Sequence, residues 1–156
     1  MRCLHRGSNV DMLGALDTAT DEFGRRLRLL GEGRWTLPTP CSDWDLHYLV
    51  AHVIGGNRFA AHVLGGMGAM EAIDLVMSSP QLGDDAVAAW TSTCVEQAAR
   101  FNADGALDRP IDHPLGEISG RQFLEFGSST SRCTRGTSLG RSEQTIDSIQ
   151  ISSMSC

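Results

Sequence analysis

The sequence contains no lysine, and all 13 of its basic residues are arginine. Acidic residues number 19, so the formal net charge at pH 7 is −6. Proteins that bind nucleic acid usually present a basic stripe or face, and an acidic chain of this kind is not expected to have one. Nucleic acid is therefore not among the partners we expect.

Long apolar runs are also missing. A membrane-spanning helix needs about 20 consecutive apolar residues, and no stretch of the chain reaches that length. Residues 1–11 lack the apolar core of a signal peptide. We therefore expect no membrane partner and a cytoplasmic location. At 156 residues the chain has room for one domain with a real core and for little more.

The sequence has little usable cysteine pairing. The sequence has five cysteines, an odd number: Cys3, Cys41, Cys94, Cys133 and Cys156. Their spacing does not match a zinc ribbon or a redox motif. A disulfide framework or a cysteine-bound metal is therefore not expected. Cys41 precedes a predicted helix start, which can lower a thiol pKa and make it reactive. A small residue that fills the turn is the simpler interpretation of the same position.

What the sequence does contain is apolar residues repeating at helical spacing. They predict helices over 11–31, 42–64 and 85–103, and a short fourth helix from about 119. Pro38 and Pro40 keep the approach to the second helix extended, and Ser42 is its predicted N-cap. Together the stripes predict an all-α, up-and-down four-helix bundle.

Two further local predictions come from the same pattern. Asp84 or Asp85 is expected to cap the third long helix, and a short helix is expected over 69–77. Methionines cluster around that short helix, and we interpret them as packing filler rather than as an adaptable binding surface. The predicted buried stripe of the third helix consists of Val87, Trp90, Thr91, Cys94, Val95, Ala98 and Phe101.

The composition changes abruptly after Phe126. Residues 127–156 are rich in Ser, Thr, Gly and Arg and keep no long apolar period, so they cannot bury enough apolar surface to fold. We expect a frayed start over 1–10, a helical domain over 11–126, and a disordered or non-native tail over 127–156 from a truncated or frame-changed product. The fourth helix would then be incomplete, leaving an apolar groove through which the chain self-associates.

Helical phase also separates the three histidines of the second helix. His52 lies on one shoulder of the apolar face with Phe59 and Val63, whereas His47 lies on the other shoulder and His62 points away. A neutral imidazole in the position of His52 is a metal ligand, a general base or a hydrogen-bonded core residue, and phase alone leaves these open. Burial without an acidic partner should lower the His52 pKa below about 6.5.

A second possible pair, Asp112 with His113, is less favoured. Adjacent residues of an extended segment point to opposite sides, so we do not expect these two side chains to act together.

A motif around the second helix resembles a known family. It comprises Trp35, Pro38-Thr39-Pro40-Cys41-Ser42-Asp43-Trp44, Leu49-Val50-Ala51-His52-Val53 and Gly55-Gly56-Asn57. These residues resemble the N-terminal helical domain of the actinobacterial mycothiol-dependent maleylpyruvate isomerases, within the broader DinB-like superfamily. The resemblance covers about residues 11–126 and implies a DinB-like four-helix bundle.

The resemblance also implies a site. Family members hold a divalent metal, usually zinc, between helices, and the matching histidine here is His52. The remaining ligands of relatives, an acidic residue and a histidine, lie in the last helix, but this sequence has no histidine after His113. His113, Glu117 and Glu125 are the nearby candidates for further ligands, and none of them stands at a matching family position. We therefore expect an incomplete metal site.

Two functions follow as expectations. The first is a metal-binding protein of the mycothiol-dependent isomerase or transferase type, with zinc and mycothiol as cofactors and a small thiol or electrophile as substrate. The second is a non-catalytic helical remnant, or a protein-interaction module with an exposed apolar groove. Catalytic residues are not assigned in either case.

Overall fold

The computed structural model describes the backbone of residues 6–31, 33–39 and 43–129. The elements are α1 (Arg6–Arg28), α2 (Leu46–Leu64), α3 (Ala69–Ser78), α4 (Ala86–Phe101), β1 (Pro110–Ile111), β2 (Ile118–Ser119) and α5 (Gly120–Ser129). Helix dominates, with one two-stranded antiparallel hairpin. This confirms the all-α class expected of a DinB-like helical bundle. Most of the predicted tail, residues 130–156, lies outside the described residues, as do Cys41 and Ser42.

The chain divides into two compact units, one of residues 1–49 with 125–156 and one of residues 50–124. In the first unit, α1 begins at Arg6, earlier than the predicted residue 11. It buries Phe23 and Leu27. On its exposed side, hydrogen bonds from Arg25 hold the pKa of Glu22 down at about 2.

The start of α2 differs from the predicted one. Its first residue is Leu46, and the carboxylate of Asp45 accepts a hydrogen bond of 2.8 Å from the Tyr48 backbone N–H. Asp45 is therefore the N-cap, and a start at Ser42 is wrong. An isolated antiparallel bridge pairs Asp45 with Pro38 immediately before the helix. Asp and Ser cap helices about equally well, so the sequence alone favoured the earlier candidate without a physical reason to reject the later one.

In the second unit, α3 and α4 confirm the local predictions. The short helix falls over Ala69–Ser78. Asp85 caps α4, and its carboxylate oxygen accepts from the Val87 and Ala88 backbone N–H groups at 2.9 and 3.0 Å. The core of this unit is formed by apolar residues from its four helices, from β1 and from the turn after α4: Val50, Ile54, Ala60, Ala61, Val63, Leu64, Ala69, Ala72, Trp90, Phe101, Ala106, Leu107, Ile111 and Leu124.

The buried stripe of α4 is rotated from the predicted one. Trp90 and Phe101 are buried as expected, but Thr91 is exposed and Val95 is 66% exposed. Thr93 is buried in their place. Its hydroxyl donates to the Ala89 and Trp90 carbonyls, which removes the cost of burying it. The predicted stripe was therefore centred too far towards Thr91 and Val95 and away from Thr93.

The hairpin and the start of α5 close the second unit. The predicted turn at residues 114–116 is present, with the Gly116 backbone N–H donating to the His113 carbonyl at 2.8 Å. Gly120 is buried and lies so close to the Ala106 carbonyl that a Cβ added to Gly120 would come within 2.0 Å of that oxygen. Only glycine permits this approach without displacing the backbone.

Candidate functional site

His52 lies in the seventh position of α2 and is half-buried. Burial lowers the pKa of His52 below its ordinary value, because removing the ring from water disfavours its charged form. This is the direction expected from the helical phase. At neutral pH the imidazole is therefore uncharged, which is the form that serves as a metal ligand or a hydrogen-bonding group.

The other two histidines of α2 have different surroundings. His47 is exposed and meets the Trp35 ring edge-on, with 6.3 Å between ring centroids. His62 is only partly buried and lies in the last turn of α2. A basic side chain near a helix C-terminus is favourably placed against the helix dipole. His47 therefore lacks the burial expected of a ligand in a helix core, whereas His62 is partly buried, as His52 is, and differs from it in lying in the last turn of α2.

His113 belongs to an aromatic cluster in the second unit. Its ring centroid lies 6.1 Å from that of Phe59 in α2 and 5.6 Å from that of Phe123 in α5. The Leu115 backbone N–H donates to its Nδ1 at 3.2 Å. Burial lowers the pKa of His113, and the neighbouring Asp112 carboxylate partly opposes this. The hydrogen bond requires an unprotonated Nδ1, so the structure holds His113 as the neutral Nε2–H tautomer.

Asp112 faces a different element. Its Oδ2 accepts a hydrogen bond of 2.8 Å from the Ala69 backbone N–H, the first residue of α3. Gly68, the N-cap of α3, has no side chain that can do this, so Asp112 supplies the cap from 43 residues away. Asp112 and His113 therefore contact different elements, in line with the expectation that they do not act together. The two residues serve local structure in separate places.

The described side chains do not fit a zinc centre by themselves. Glu117 and Glu125, the acidic alternatives, are both exposed. Among the described residues, no group of three or more His, Cys, Asp or Glu side chains converges on a point where a metal ion would be held. Zinc sites need at least three protein ligands. His52 can supply one of them.

A buried polar cluster between α2 and α4 was not predicted. The Asn57 carboxamide is only 7% exposed and donates through Nδ2 to the Cys94 Sγ at 3.3 Å and the Thr93 hydroxyl at 3.5 Å. The sequence does indicate that Asn57 faces inward, because Asn57 ends the Gly-Gly-Asn part of the motif and falls on the inner face of α2. The predicted buried stripe of α4 contained Cys94 but not Thr93, so only one of the two partners of Asn57 was expected to face inward.

One small cavity lies between the C-terminal end of α2 and β1. Its volume is about 130 Å³, and Met67, Arg109 and Asp112 are among its lining residues. A cavity of roughly 150 Å³ accommodates a molecule the size of benzene, so this one has room for a small fragment only. Its acidic group, Asp112, is already engaged as the cap of α3.

Comparison with known proteins decides the family. Residues 16–122 match the model of the mycothiol maleylpyruvate isomerase N-terminal domain, which is more than two thirds of the chain. The chain belongs to this family. The matched region begins within α1 and ends within α5, so it takes in every described helix at least in part. The family resemblance drawn from the motif around His52 is thereby confirmed.

Two curated relatives come from Mycobacterium tuberculosis. They are "Uncharacterized protein Rv0738" of strain ATCC 25618 / H37Rv and "Uncharacterized protein MT0763" of strain CDC 1551 / Oshkosh. Each is 31% identical over 115 residues, which cover 74% of this chain and 58% of the relative. The chain thus spans a little over half the length of these relatives. No solved structure matches it significantly.

The family model concerns a mycothiol-related domain and does not name a metal ligand or a substrate-binding residue. In the part of the chain that the structure describes, no helix is long and apolar enough to cross a membrane.

Proposed function

We propose that this chain is a domain of the mycothiol-dependent isomerase or transferase type that keeps a metal-ligand position at His52 but does not complete a zinc centre. The observation that carries the first part is the half-buried His52 on α2, whose pKa is lowered by burial. A neutral imidazole on the inner side of a helix has the chemistry of a ligand.

The second part rests on the donor set. Zinc with catalytic function has three protein ligands and an open fourth position. His52 is not joined by two further candidate ligands among the described side chains. One imidazole alone binds zinc too weakly to hold it, so we derive no catalytic step through a metal.

The thiol part of the proposal rests on family membership. A small thiol such as mycothiol, or an electrophile that reacts with it, is the proposed ligand class. We place the protein in the cytoplasm, because thiols are kept reduced there.

Zinc titration of the full-length chain tests the metal part. We expect weak, non-stoichiometric zinc binding that His52→Ala weakens further. His62→Ala is the matched control, since it removes a second imidazole from the same helix. One zinc per chain, lost in His52→Ala and retained in His62→Ala, would show a complete site and overturn this part of the proposal.

Mycothiol binding tests the other part and separates the two candidate functions. Calorimetric titration should show saturable binding to the purified chain. A chain that binds neither zinc nor mycothiol would instead be a non-catalytic helical module or remnant, which is the alternative.

A further inference from the structure

Helix α3 presents an apolar surface to solvent that its own unit does not cover. Met70 is 66% exposed, Met77 is 79% exposed and Leu75 is 42% exposed. The interpretation of the methionines as packing filler is therefore wrong for Met70 and Met77. Flexible thioether side chains in exposed positions are typical of adaptable protein-binding surfaces.

The same face carries negative charge and no positive charge. At 100° per residue, Met70 and Met77 lie about 20° apart, and Asp74 and Glu71 fall between them and Leu75. Both acidic residues are exposed, and α3 contains no basic residue. We call this set, Met70, Glu71, Asp74, Leu75 and Met77, the α3 face.

Contacts at both ends of α3 and on its inner side hold the α3 face in place. At its N-terminal end, Asp112 accepts from the Ala69 backbone N–H. At its C-terminal end, the Gln81 side-chain amide donates to the Val76 and Ser79 carbonyls. Below it, a Cβ added to Gly55 of α2 would lie only 3.3 Å from Val76, so the two helices pack closely. A surface fixed in this way loses little entropy when a partner binds.

We propose that the α3 face binds a basic amphipathic helix of another protein, and this inference does not rest on the metal or thiol site. The negative charge of the α3 face favours one class of binding partner over the others. A second copy would set Glu71 and Asp74 against the same residues, which is unfavourable, and an anionic membrane surface would be repelled. A helix with Lys or Arg beside apolar residues satisfies both the carboxylates and the methionines.

The size of the α3 face sets the expected strength. Met70 and Met77 span about 10 Å of helix axis, so a helix crossing them buries an area at the small end of protein interfaces. A transient complex with micromolar or weaker affinity is expected, and its association should weaken as salt rises.

A labelled amphipathic peptide of leucine and lysine, about 14 residues long so that it can form a helix, provides the probe. Fluorescence anisotropy with the full-length chain should show saturable binding. Two double variants test the α3 face. One combines Met70→Ser with Met77→Ser, and the other combines Glu71→Gln with Asp74→Asn. Each should weaken peptide binding by roughly tenfold or more.

The matched control is Val95→Ser with Glu96→Gln, which makes the same kind of change on the exposed side of α4. It should alter affinity by less than about twofold. The altered positions are exposed, so circular dichroism should confirm unchanged helix content in every variant.

Four results would overturn the proposal. They are an absence of saturable binding, equal binding of a leucine–glutamate peptide, equal weakening by the α4 control, and a dimer in sedimentation analysis that the methionine variants dissociate. The last would assign the α3 face to a second copy of the chain.

Discussion

Replacing Gly120 with alanine tests the closest backbone contact in the second unit. The new Cβ would lie 2.0 Å from the Ala106 carbonyl oxygen and 3.2 Å from the Leu107 Cα. Real Cβ atoms essentially never come within 3.0 Å of such a neighbour, so the start of α5 must move by about 1 Å. Because both neighbours are backbone atoms, no side chain can rotate to make room.

That movement weakens two hydrogen bonds that join the start of α5 to the turn before β1. The Gly120 backbone N–H donates to the Arg109 carbonyl at 3.1 Å, and the Arg121 N–H donates to the Leu107 carbonyl at 2.8 Å. Weakening both costs about 1 kcal/mol each, and overpacking costs about 1–3 kcal/mol. We expect Gly120→Ala to lower the free energy of unfolding by roughly 3–5 kcal/mol, a large part of a typical domain's stability.

Urea denaturation followed by circular dichroism measures this change, with Gly56→Ala as the control. Gly56 is an exposed residue within α2, and nothing lies within 4 Å of a Cβ added there. Alanine at that position should stabilise the helix by up to about 1 kcal/mol. A Gly120→Ala protein with wild-type stability would refute the claim that this contact requires glycine.

Two further predictions concern the cap of α4 and the ring of His113. Asp85→Ala removes the acceptor for two backbone N–H groups and should destabilise the protein by about 1 kcal/mol in urea melts; the neighbouring Asp84→Ala should have little effect, and equal losses would contradict the assigned cap. The pKa of His113 in the folded protein is below 6.5. Its contribution to the free energy of unfolding is therefore complete above the unfolded-state pKa of about 6.5, and it is lost as the pH falls towards the folded-state pKa. NMR titration should give that lowered pKa, and His113→Phe should reduce the loss of stability in mild acid; a raised pKa would show that the ring has a stronger acidic partner than Asp112.

Local signals predicted much of the fold. The periodicity of α2 and α4, the short α3 and the Asp85 cap depend on residues close together in sequence, and all were predicted within a few positions. The exact start of α2 was not, because Ser42 and Asp45 are chemically equivalent caps three residues apart. Asp45 is distinguished by the hydrogen bond that it accepts from Tyr48 and by its bridge to Pro38, and capping preference alone predicts neither.

The candidate site was harder to predict, because its determinants act across long separations. The motif identified His52 and the family, and helical phase gave the direction of its pKa shift. Neither indicated that Asn57 is joined to Cys94 and Thr93 in another helix. The exposure of Met70 and Met77 was missed because composition shows that methionines cluster but not which side of α3 is covered.

The hydrogen bond from Ala69 to Asp112 also has a consequence for the order of synthesis. A ribosome makes α3 long before it reaches the residue that caps it, 43 positions further on. While the chain is still emerging, the first turn of α3 can hydrogen-bond only to water there, and a helix of ten residues is marginal in that condition. Completion of α3 during translation is therefore tied to the arrival of the segment that contains β1.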